Sequence, residues 1–120
     1  MNKLIQIYTE DIEDYFRRLG GQGRYDGYQN FHSGVLILCL LFDLNVAENI
    51  HPSMLNETNQ LPLRVKEKLK NIQIDKKSFE DYINFVKSHL SKKSDENLSK
   101  FESFIEVNKK MYEDYLKKLN

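Results

Sequence analysis

The chain has 120 residues, with 18 basic and 18 acidic side chains, a formal net charge of zero, 40% apolar residues and 30% charged ones. That length suits one domain, and that apolar share suits one packed core rather than a disordered tail. Five Gly, two Pro and one Cys exclude a collagen-like or low-complexity chain, a disulfide framework and a cysteine-built zinc site.

The first sixteen residues read MNKLIQIYTEDIEDYF. Glu10, Asp11, Glu13 and Asp14 interrupt any apolar stretch of the kind a secretory signal needs. Leu4, Ile5, Tyr8, Ile12, Tyr15, Phe16 and Leu19 fall on one face at helical spacing. Glu13 with Arg17 and Asp14 with Arg18 are i,i+4 pairs in the favourable order. The spacing predicts a first helix over residues 3–19, ended by Gly20 and Gly21.

Residues 20–27, GGQGRYDG, read as a loop. A glycine-rich loop cradles phosphate when it follows a strand and opens a helix. This one follows a helix and lacks the P-loop lysine, so a helix–helix connection is the simpler reading.

Tyr28 to Leu44 contains the longest apolar run, VLILCLLF at residues 35–42. A membrane-spanning helix needs about 20 such residues, so no membrane association is expected and the location reads as cytoplasmic. Phe31, Val35, Leu38 and Phe42 share one face, and Leu36, Ile37, Leu40 and Leu41 fill the others. A helix apolar all round belongs at the centre of a bundle. Residues 35–42 are also compatible with a strand, but no second strand stands ready to pair with it.

Residues 45–61 are mixed, with one helical turn expected from Pro52. Pro62 suits the start of a short helix over residues 62–72, carried by Val65, Leu69 and Ile72. Ser78 with Asp81 resembles a capping arrangement, and Phe79, Tyr82, Ile83, Val86 and Leu90 form a stripe, predicting a helix over residues 76–91. Ser94 caps the last helix, expected over residues 95–119 as one continuous rod. Leu98, Phe101, Ile105, Asn108, Tyr112, Tyr115 and Leu119 alternate three and four apart as a seam. The fold expected is all-α: a single-domain bundle of four to five helices, residues 1–120, with a long C-terminal helix.

Chemical motifs are sparse. His32, His51 and His89 form no i,i+3 or i,i+4 pair, so no helical metal face is expected. The acids of residues 10–14 read as a solvated face. Cys39, flanked by leucines, lacks the electropositive setting of a nucleophile. An enzyme would need Arg24 or His32 to line a pocket with an acid. Neither catalytic residues nor cofactor or metal ligands are expected.

Two binding readings follow. Phe104, Val107 and Met111 form a second apolar stripe beside the seam of the last helix, an arc wider than one neighbour needs. With Tyr25 and Tyr28 around the glycine loop they are the candidate residues for docking a protein partner, another protein or a second copy of the chain. An adaptor, a regulator or an inhibitor of the immunity type would work this way. Tyr8 and Tyr15 are expected to line the packing of the first helix against the last. The alternative is nucleic acid. Residues 1–62 hold four basic and eight acidic groups, a charge of −4, and residues 63–120 hold fourteen and ten, a charge of +4. The basic excess in segment 64–93 includes Arg64, Lys66, Lys70, Lys76 and Lys77, which could neutralise phosphates.

Overall fold

Asn2 opens the first helix and ties it to a segment far along the chain. Its side-chain oxygen accepts from the N–H groups of Leu4 and Ile5, and its amide donates to the Ser78 carbonyl at 2.8 Å. The computed structural model describes residues 2–15, 28–45 and 61–119. Helix α1 begins as α-helix over Lys3–Gln6 and continues with π-helical winding over Ile7–Glu13. Thr9 Oγ1 donates to the carbonyls of Ile5 and Gln6 at 3.0 and 3.3 Å, competing with backbone N–H groups for the same acceptors. A π turn closes i→i+5 hydrogen bonds and so departs from the 3.6-residue period. Ile7, Tyr8, Ile12 and Glu13 of this segment are all buried.

Helix α2, Tyr28–Leu41, carries the apolar run as helix, not strand. Its residues 32–39 are buried without a break, and it touches α1 and the three helices described next. It ends with Asp43 at φ 58° and the Leu44 N–H donating to the Cys39 carbonyl. That is a Schellman closure with Asp in the left-handed position usually held by glycine. Helix α3 is Leu61–Lys70, α4 is Lys76–Ser91 and α5 is Asp95–Val107. Asp75, not Ser78, caps α4: its carboxylate accepts the Ser78 N–H at 2.7 Å. Ser94 caps α5 as expected, accepting from Asn97 N.

The long last helix is broken. α5 ends at Val107, and α6 runs over Lys109–Lys118. Asn108 between them lies at φ −101°, ψ 28°, and both its backbone N–H and its side-chain amide donate to the Phe104 carbonyl. An asparagine amide that takes a helix acceptor competes with helix propagation. This joint raises the count among the described residues to six helices, with no strand.

The core is built around α2, with Leu36, Ile37 and Leu38 fully buried beside Tyr8, Phe79, Tyr82 and Phe101. α4 packs on α5, α1 and α2, while α5 packs on both α2 and α4. Tyr8 contacts Tyr82, Phe85 and His89 of α4 and donates to the Asn30 carbonyl of α2. It thereby joins the first helix to α2 and α4. The rings at the far end of the chain form a separate cluster, with Tyr115 at 4.8 Å and Tyr112 at 5.4 Å from Phe79. No described helix is long and apolar enough to cross a membrane.

Candidate interaction surface

The surface on the last two helices is set by how many neighbours each helix has. Between α2 and α4, α5 buries Asn97, Phe101 and Phe104. The joint at Asn108 then hands the seam to α6, whose Tyr112, Tyr115, Leu116 and Leu119 lie half-buried against the core. Burial pushes the Tyr115 hydroxyl up to about 12. Burial also raises that of Tyr112, helped by the nearby Glu80 carboxylate.

The three-residue apolar stripe beside the seam divides. Phe104 is 9% exposed and belongs to the core, so its expected docking role is corrected. The wide apolar arc of α5 is accounted for there by two intramolecular neighbours. Val107 is 82% exposed and Met111 40%. No described element covers them, and Ser103, Lys110, Asp114 and Lys118 around them are exposed too. Tyr25 lies outside the described residues. Tyr28 is the first residue of α2, and its side chain is also outside them. Leu63 on α3 is 65% exposed, but as a single residue it needs no explanation.

The basic residues all stand in solvent: Arg64, Lys66 and Lys70 on α3, and Lys76 and Lys77 at the start of α4. Their charge is partly answered. Lys77 pairs with Asp81 at 2.8 Å, which raises its pKa, and Lys68 pairs with Asp11 of α1. Arg64 projects from a different side of α3 than Lys66 and Lys70, because two and six residues turn the helix by about 200° and 240°.

Two features escaped the periodicity. The first is a contact between Glu13 and His89. Glu13 is not part of a solvated acid face: it is buried, and its carboxylate lies 3.3 Å from Nε2 of His89. The His89 ring stacks on Phe85 and meets Tyr8 edge-on. The 3.6-residue period sends Glu13 off the apolar face, and nothing in the sequence announces the π winding of the segment that buries it. The second is a cleft of about 270 Å³ between α1 and α3, lined by Lys3, Gln6, Glu10, Asp11, Lys68 and Asn71 among others. The Lys68–Asp11 pair and a Gln6–Glu10 hydrogen bond cross its polar wall. Neither Glu13 nor His89 lines it, and neither does His32, which is buried in α2.

The chain matches no family model, no curated protein and no solved structure. Among the described residues no three His, Cys, Asp or Glu side chains gather where they could hold a metal ion. Cys39 is fully buried, a setting in which a thiol behaves as a small hydrophobe. Arg24 and His51 lie outside the described residues.

Proposed function

We propose that the chain is a non-enzymatic protein–protein interaction module of the cytoplasm, an adaptor, regulator or inhibitor that acts by docking. One observation carries this reading. Val107 and Met111 are apolar, adjacent and exposed on helices whose opposite face is sealed into the core. A branched aliphatic and a methionine ringed by charges have the make-up of an interface centre with a polar rim. Docking there is steric and needs no chemistry from the chain.

Val107→Asp and Met111→Asp test it by capture from the native cells. The wild-type chain retains a stoichiometric protein that survives nuclease, and both variants lose it while keeping the wild-type thermal midpoint. Variants that capture as well as the wild type would overturn the reading.

Nucleic-acid binding is the second reading, favoured by the exposure of Lys66, Lys70 and Lys76. It requires binding that weakens steeply with salt and is lost when these three residues are replaced by Glu. The pairing of Lys68 and Lys77 with acids and the zero net charge place it behind the first.

A further inference from the structure

We infer that the cleft between α1 and α3 binds a small zwitterion with its ammonium and carboxylate at opposite ends, an ω-amino acid or a dipeptide. The cleft is lined by neither α5 nor α6, so the inference is independent of the docking surface.

The lining residues order the cleft from end to end. Lys3 and Ile72 mark one end, because they also line a second hollow of about 80 Å³ that continues toward Ile74 and Ser78. Asp11 and Lys68 mark the other end, where they pair across the gap. Ile7 and Ile72, both packed on the core, supply the apolar lining.

The polar groups along this path are unevenly committed. Lys68 and Asp11 neutralise each other. Gln6 donates to one oxygen of the Glu10 carboxylate at 3.2 Å, and the second oxygen has no donor among the described residues. Lys3 has no acidic partner among the described residues, and the Asn71 amide makes no hydrogen bond there. The cleft therefore offers an unanswered cation with an amide toward one end and an incompletely answered carboxylate toward the other.

That polarity selects the ligand. Lys3 and Glu10 stand seven residues apart on α1, on the order of 10 Å along a helix axis. An α-amino acid holds both charges on one carbon, too close together to serve both ends. A chain with its charges at its ends lays the carboxylate on Lys3 and Asn71, the ammonium on Glu10, and its methylenes on Ile7 and Ile72. The cleft volume of about 270 Å³ falls below the roughly 300–1,000 Å³ of drug-sized sites, which limits the ligand to metabolite size. Lys3 and Glu10 are exposed, so each contact has the strength of a surface ion pair and the dissociation constant is on the order of millimolar.

Nuclear magnetic resonance titration of the isotope-labelled chain with ε-aminocaproate and glycyl-leucine tests this. Saturable shifts at the amides of Lys3, Ile7, Glu10 and Asn71 are expected, and the tighter of the two probes assigns the source. Hexanoate and hexylamine, each with one charge, bind about fivefold more weakly than ε-aminocaproate. Lys3→Glu and Glu10→Lys each weaken the zwitterion by a similar factor and keep the wild-type thermal midpoint, as their exposure requires. Lys93→Glu, away from the cleft, changes nothing. A one-charge probe that binds as tightly as the zwitterion overturns the ligand class. Shifts that never saturate, or that ignore both cleft variants, overturn the site.

Discussion

Gly34 shows how one residue sets the spacing of three helices. A Cβ there would lie 2.9 Å from Val86 Cγ1 and 3.1 Å from a ring carbon of Phe101. Both neighbours are fully buried, and a valine has little freedom at χ1 to withdraw. The Gly34 carbonyl also accepts the Tyr82 hydroxyl at 3.1 Å. Alanine would gain about 1 kcal/mol of helix propensity, against an overpacking cost of about 1–3 kcal/mol. Gly34→Ala is expected to lower the urea midpoint, and an unchanged or raised midpoint would show that the helices yield. The apolar run around Gly34 is legible in the sequence, whereas the closeness of Val86 and Phe101 exists only after folding. Glu13 is the converse case. The 3.6-residue wheel sends it to solvent beside Arg17, and the π winding turns it inward toward His89.

Among the elements, helix α4 is the most legible, since its stripe of five buried residues falls on one face and the predicted span matches Lys76–Ser91. Its cap was less so, because Asp75 and Ser78 are both good N-cap residues and only the direction of the hydrogen bond separates them. The joint at Asn108 was hidden because a seam position tolerates Asn without breaking the three–four spacing. Past the joint, α6 is held to α2 and α4 largely by aromatic contacts of Tyr112 and Tyr115 with Phe42 and Phe79. That attachment is sensitive to alkali. Tyr115 ionises at about 12 in the fold against 10.0 for a free tyrosine. The folded value is the higher one, so its stabilising contribution is complete below pH 10 and is lost as pH rises toward 12. Tyr82, buried at the core, has its pKa raised in the same direction by desolvation. Stability should fall above pH 10, and Tyr115→Phe should flatten that fall in a urea-midpoint series against pH. An equally steep fall in the variant would place the alkaline sensitivity elsewhere.

At the scale of the molecule, the all-α bundle around a central helix with an unbroken apolar run follows from composition and periodicity. VLILCLLF has no polar face to show to water, so it must be surrounded, and α1, α3, α4 and α5 surround it. The candidate surface is only half legible. The sequence shows that the last helix has more apolar arc than one neighbour covers, but not where intramolecular packing stops. The structure puts that limit between Phe104 and Val107, one helical turn apart. The division is tested most directly by measuring urea unfolding and sedimentation for Phe104→Asp and Val107→Asp side by side. Phe104→Asp should fail to fold, since an unpaired charge would be buried in the core. Val107→Asp should keep the wild-type midpoint and slope, and the sedimentation of a folded chain. A Val107→Asp chain as destabilised as Phe104→Asp would contradict the account, because the stripe would then be core along its whole length.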